Sequence, residues 1–154
     1  MLKIITENQI KKYENKVKLY FSMLCSYFNV PLIKVNFNYK DLGAFKNKDG
    51  NLSFVINIEN LFYLYDDKKS LADGSKVKSF NEYLIKVCIH EIKHYQDYLK
   101  YGNIFYKLYA VDERKYEKGK IKYHEIKFEK DANEQAKKEF KKAYYFIKNI
   151  LQEA

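Results

Sequence analysis

The sequence predicts an α+β domain, and three observations carry that prediction. Apolar residues recur at helical spacing over the first thirty positions, two short stretches with strand patterning follow, and two further long helical periods fill much of the second half. A length of 154 residues suits one domain with a single core. Neither internal repeats nor a low-complexity linker argues for a second one, so residues 1–154 are expected to form a single domain.

Thr6-Glu7-Asn8-Gln9 is a capping box, and Ile10, Tyr13, Val17, Tyr20, Phe21, Leu24 and Phe28 keep a helical period behind it. This long first helix should stop near Asn29-Val30-Pro31. From Leu32 to Tyr39 the residues alternate, with Ile33, Val35, Phe37 and Tyr39 on one face, which predicts a strand. Asp41 to Gly50 reads as a loop whose Asp49-Gly50 turn feeds a second strand, Leu52 to Ile58. Asn60 to Tyr65 is apolar enough to begin a helix, and Asp66 to Ser79, with Gly74, reads as a surface loop.

Ser79-Phe80-Asn81-Glu82 is a second capping box and opens a stretch without Gly or Pro until Gly102. Tyr83, Ile85, Cys88, Ile89, Ile92, Tyr95 and Leu99 give it a helical period. In the segment 103–127 only Phe105 to Tyr109 reads as helical, and the charged run Glu113 to Lys122 is expected to be exposed. A final helix is expected from about Phe128 to Leu151.

Composition narrows the function classes. Hydrophobic residues make up 47% and there is one proline, so the chain is globular. The formal charge is +9, from 29 basic and 20 acidic residues, but the lysines are spread out and Arg114 is the one arginine. Sequence-specific base readout favours arginine, so nucleic acid is a second choice of partner. Cys25 and Cys88 sit in apolar stretches and are expected to be buried free thiols. The start of the chain has no apolar segment of signal-peptide length and no run reaches membrane-spanning length, so the cytoplasm is the expected compartment and no membrane partner is expected.

Two of the three histidines fall in His90-Glu91-Ile92-Lys93-His94, an H-E-x-x-H pattern in the middle of the Ser79–Gly102 stretch. On a helix, residues four apart share a face, so both imidazoles can meet one Zn²⁺. Glu91 is rotated by about 100° from His90 and so would meet a water at the metal instead of the metal itself. A third protein ligand must then come from elsewhere, with one position left open if the site is catalytic.

Glu129 is the leading candidate for that ligand. Ala132, Ala136 and Ala143 follow it at helical spacing, and small residues let two helices approach closely. His124 is the rival as ligand, and its other reading is a catalytic role in stabilising a developing oxyanion. Glu125 is a weaker ligand candidate, and Tyr106, Tyr109 and Tyr123 are alternatives for the oxyanion. A ligating imidazole usually donates its other N–H to a carboxylate or carbonyl, for which Asp97 and Asp131 are candidates.

Four segments run in the order of a known family: Leu42-Gly43-Ala44-Phe45, Val55-Ile56-Asn57-Ile58, the His90–His94 motif, and Glu129-Lys130-Asp131-Ala132-Asn133. Together they resemble a compact zincin of the minimal gluzincin type, in particular the ImmA/IrrE-like metallopeptidases of bacteria, phages and mobile elements. The resemblance covers roughly Leu32 to Lys138. Its last segment is similar to the family's E-x-(D/E)-A-N, which implies that Glu129 is the third zinc ligand. It further implies a zincin-like fold: a small twisted sheet beside the motif helix, and a C-terminal helix carrying that ligand. One edge strand should be open to an extended peptide, and Leu52 to Ile58 is the candidate edge.

The expected function is therefore a zinc-dependent endopeptidase acting on a protein or peptide. His90, His94 and Glu129 would hold Zn²⁺, Glu91 would move the proton of the attacking water, and His124 or a tyrosine would steady the oxyanion. The alternative is a basic, zincin-derived binding module for nucleic acid or protein, such as a mobile-element regulator or host-defence inhibitor. A chance placement of two histidines within an ordinary α+β domain is the remaining reading.

Overall fold

The computed structural model describes residues 4–68 and 76–153. The chain is α+β, with five helices and a three-stranded mixed sheet among the described residues. Helix α1 (Glu7–Tyr27) starts on the expected capping box: the Thr6 hydroxyl accepts from the Gln9 amide at 3.2 Å, and the Gln9 side chain accepts from the Thr6 amide at 2.9 Å. It ends before Asn29, whose φ of 55° is the left-handed turn that commonly closes a helix.

Strand β1 (Lys34–Phe37) lies where alternation predicted a strand, and β2 (Gly43–Lys48) lies where a loop was expected. The Asp49-Gly50 turn joins β2 to β3 (Asn51–Ile56), with φ of 54° and 86° at the two turn residues, the positive pair a tight hairpin needs. Gly43–Lys48 has no β-branched residue, and Phe45 is its one favoured strand residue, too little to mark a strand alone. The Asp-Gly pair was the available signal, since a two-residue hairpin turn requires a strand on both sides.

The sheet order is β1-β3-β2, with β1 parallel and β2 antiparallel to β3, and Phe45 opposite Phe54. The stretch expected to be an open edge is thus the central strand, and β1 and β2 are the edges. Burial agrees, because Phe54, Val55 and Ile56 are all enclosed, as befits a strand paired on both sides. The strand also stops earlier than expected. Asn57 accepts from the Asn60 amide at 3.2 Å and caps α2 (Ile58–Lys68), so Ile58 belongs to the helix. Of the loop expected at 66–79, residues 69–75, Gly74 among them, lie outside the described residues, and residues 66–68 are helical.

Helix α3 (Phe80–Tyr101) carries the His90–His94 motif through the middle of the molecule. The Ser79 hydroxyl accepts from the Glu82 amide at 3.2 Å, whereas the Glu82 carboxylate accepts from Lys78 one residue outside the expected box. Gly102, with φ of 61°, ends α3, and a second helix, α4 (Ile104–Glu117), follows at once, much longer than the short helical segment expected there. After a 3₁₀ turn at Tyr123–Glu125, α5 (Lys127–Glu153) returns along α3. Its first amide is capped from a distance, by the Asp112 carboxylate of α4 at 3.0 Å, which ties the start of α5 to α4.

The core forms where α1, the inner sheet face and α3 meet. Phe21 of α1 stacks on Phe54 of β3 at 4.2 Å between ring centres, and Tyr95 of α3 meets the other side of Phe54 edge-on at 5.7 Å. Val17, Leu24, Ile85, Cys88, Ile89 and Ile92 fill the same cluster. Cys25 and Cys88 are buried free thiols. Ala132, Ala136 and Ala143 are buried on α5, and Gln135 reaches Gln96 of α3 at 2.9 Å. Those small side chains let α5 lie close enough to α3 for a carboxylate in its first turn to reach the motif.

Candidate metal centre

The motif falls in mid-helix, so its side chains project from a fully hydrogen-bonded segment and not from a fraying end. His90, Glu91 and His94 place donor atoms within 4.8 Å of one another and form a group that could hold a metal ion. The two imidazoles turn toward each other, with Nε2 of His90 and Nε2 of His94 3.1 Å apart. Oε1 of Glu129 closes the triangle, 2.9 Å from His90 Nε2 and 3.2 Å from His94 Nε2. A metal with ligand bonds of 2.0–2.1 Å and tetrahedral angles would space its donors by about 3.3 Å. Three donor atoms from two helices already stand near that spacing, and nitrogen–oxygen donor sets of this kind suit zinc among other divalent ions.

Two carboxylates therefore approach the imidazole pair, and they differ in position. Glu129 touches both Nε2 atoms, while Glu91 points past them toward β2, where a Cβ on Gly43 would come within 3.1 Å of its Oε2. The absence of a side chain at Gly43 is what lets the Glu91 carboxylate sit against the sheet. Glu91 is buried, and burial raises its pKa, with His90 and His94 drawing it back and Glu129 adding to the rise. For Glu129 burial also works upward, but the contacts with His90 and His94 outweigh it and hold its carboxyl far below the usual range. Burial alone would lower the His90 pKa, and the facing Glu91 and Glu129 carboxylates raise it instead.

The partners behind these groups come from three elements. Asn133, one turn along α5 from Glu129, lines the cleft beside His90. The Tyr109 hydroxyl of α4 donates to Oε2 of Glu129, the oxygen turned away from the histidines. Tyr123 lines the cleft with Tyr109, and burial and the Glu129 charge push its pKa up to about 12. Asp97 is buried and paired through Oδ1 with Lys93 at 3.0 Å. Asp131 is not at the site, since it pairs with the exposed Lys127 at 3.1 Å.

His124, expected as an oxyanion stabiliser or ligand, is not brought to the cluster. It is exposed on the 3₁₀ turn and lines no part of the cleft beside the motif. The tight turn sends successive side chains in different directions: Tyr123 faces the cleft and Ile126 is buried, leaving His124 and Glu125 toward solvent. Tyr109, Tyr123 and Tyr106, the expected alternatives, all line the cleft. Asn133 and Gly43 stood in the four quoted segments without an assigned role, and only the fold gives them one.

The cleft has a volume of about 530 Å³, with β2 residues Gly43, Ala44 and Phe45 on one side and Tyr106, Ala110 and Glu113 of α4 on the other. A smaller pocket of about 160 Å³ adjoins it beyond Gly43 and Asn133, with Lys86 in its wall. No helix among the described residues is long and apolar enough to cross a membrane. The chain matches no family model, no curated protein and no solved structure.

Proposed function

We propose that the chain is a zinc-dependent peptidase with a zincin-like arrangement, resembling the ImmA/IrrE-like metallopeptidases, in which His90, His94 and Glu129 hold the metal. The observation that carries this reading is the triangle of Nε2, Nε2 and Oε1 atoms at 2.9, 3.1 and 3.2 Å, built from two helices that meet only through tertiary packing. Two neutral imidazoles and a carboxylate have too few protons to satisfy such a three-way contact by hydrogen bonds alone, whereas a shared cation satisfies all three.

Zinc bound there would acidify a water and polarise the scissile carbonyl. Glu91 sits beside the ligands without entering the triangle, and its raised pKa suits a group that takes a proton from water and passes it to the leaving amine. Tyr109 fixes the Glu129 carboxylate from behind. Edge strand β2 runs along the cleft and offers main-chain groups to an extended peptide, replacing β3 in the role expected of it.

The test compares wild-type protein with Glu91→Gln on an unstructured protein substrate, with zinc measured in both. Cleavage by the wild type, and a loss of about a hundredfold or more in Glu91→Gln at unchanged zinc content, is expected. Full activity in Glu91→Gln would remove the proposed role.

A second reading, a basic binding module, rests on a separate surface. Lys11, Lys12 and Lys16 line a shallow groove on α1, and burial together with the charge of Lys12 lowers the Lys16 pKa. Salt-sensitive binding of nucleic acid by the Glu91→Gln protein, abolished by removing those lysines, would favour it.

A further inference from the structure

The cleft differs in charge from the protein that carries it. On a chain with 29 basic and 20 acidic residues, four carboxylates line the cleft, Asp41, Glu91, Glu113 and Glu129, and no lysine or arginine does. Three of the four are accounted for. Glu91 and Glu129 face the two histidines, and Asp41 pairs with Lys46 at 2.8 Å. Glu113 is exposed on α4 and makes no ion pair among the described residues.

Glu113 stands at the end of a row on α4. Tyr106, Ala110 and Glu113 are spaced four and three residues apart, so they share one face, and all three line the cleft opposite β2. Around that row the walls are aromatic, from Phe45, Phe105, Tyr109 and Tyr123. An unpaired carboxylate at the end of an aromatic wall matches a side chain with a long apolar stem and a cationic head, since ring faces attract cations and the carboxylate accepts their N–H groups. The adjoining pocket has Lys86 in its wall, with its ammonium 4.9 Å from the Phe140 ring centre.

We propose that the α4 arm of the cleft is a specificity pocket for a lysine or arginine side chain of the substrate, with Glu113 as the residue that selects it. This rests on the peptidase reading for what the cleft holds, but the selection is a property of the α4 wall. The net charge of +9 repels a basic peptide at long range, so the preference is local and short-ranged.

The test uses the zinc-loaded full chain and short labelled peptides of one sequence carrying Lys, Leu or Glu at a single position, scanned along the peptide. Binding is read by anisotropy with Glu91→Gln, and cleavage with protein that keeps Glu91. Lys peptides should bind and be cut about tenfold better than Glu peptides. Glu113→Lys should reverse that order, Glu113→Gln should level it, and Leu peptides should respond little to either. Equal binding of Lys and Glu peptides, or a preference for Lys that survives Glu113→Lys, overturns the proposal. If the charge preference and its reversal are seen in binding while no peptide is cut, the peptidase reading fails and the specificity pocket stands.

Discussion

Nδ1 of His94 and Oδ2 of Asp97, on neighbouring positions of the same face of α3, are both buried and both lack a hydrogen-bond partner among the described residues. A bridging water is expected to join this buried donor and this buried acceptor, which stand one turn apart. Through such a contact Asp97 is expected to position the His94 ring, while Lys93 holds its other oxygen at 3.0 Å. Asp97→Ala should weaken zinc binding by about ten- to a hundredfold in a chelator competition, with the helical circular-dichroism signal retained. Unchanged zinc affinity would show that Asp97 has only the ion pair with Lys93 to maintain.

A side chain at Gly43 should crowd Glu91. A Cβ there would stand 3.1 Å from Glu91 Oε2, 3.2 Å from Val87 Cγ1 and 3.4 Å from Ile56 Cδ1, so either the carboxylate or the packing must yield. Gly43→Ala is expected to lower stability by about 1–3 kcal/mol and to displace Glu91, reducing kcat at unchanged zinc content. Thermal melting and cleavage assays check both halves, and wild-type values in both would mean the neighbours relax freely.

Tyr109 is expected to act through Glu129. Its hydroxyl donates to the carboxylate oxygen not turned to the histidines, and that oxygen is left without this donor when the hydroxyl is removed. Tyr109→Phe should therefore lower zinc affinity and remove about 1–3 kcal/mol of stability. A variant with wild-type zinc affinity and a reduced kcat would place the hydroxyl on the substrate instead.

His124 and Tyr123 separate what the sequence expected from what the fold provides. His124 is exposed and off the cleft, so His124→Ala should leave zinc binding and cleavage within about twofold of wild type, as for most surface changes. Tyr123→Phe removes a hydroxyl from the cleft wall and should reduce the rate. Steady-state kinetics on the two variants decides between them, and a large loss in His124→Ala alone would restore the histidine to the reaction.

Local patterns in the chain were enough to locate the main helices and the motif. The Thr6 box, the Ser79 cap and Gly102 are signals contained within a few residues: α1 begins on the first, and α3 begins and ends on the other two. Glu129 was legible because its alanine-lined face announced close approach to another helix before any contact was known. What stayed hidden depends on residues distant in sequence. Strand β2 is fixed by its pairing with β3, since Phe45 is the one favoured strand residue among its side chains. The cap on α5 comes from Asp112, and the choice of Tyr123 over His124 comes from the direction of a short 3₁₀ turn. The edge of the sheet was misplaced for the same reason, since strand order is a property of pairing and not of either strand alone.

Zinc-edge anomalous diffraction from crystals of the zinc-loaded protein tests the central claim most directly. One peak per chain is expected, about 2.0–2.1 Å from Nε2 of His90, Nε2 of His94 and an oxygen of Glu129, with no fourth protein ligand. A peak that omits Glu129, or no peak at the triangle at all, would contradict the account.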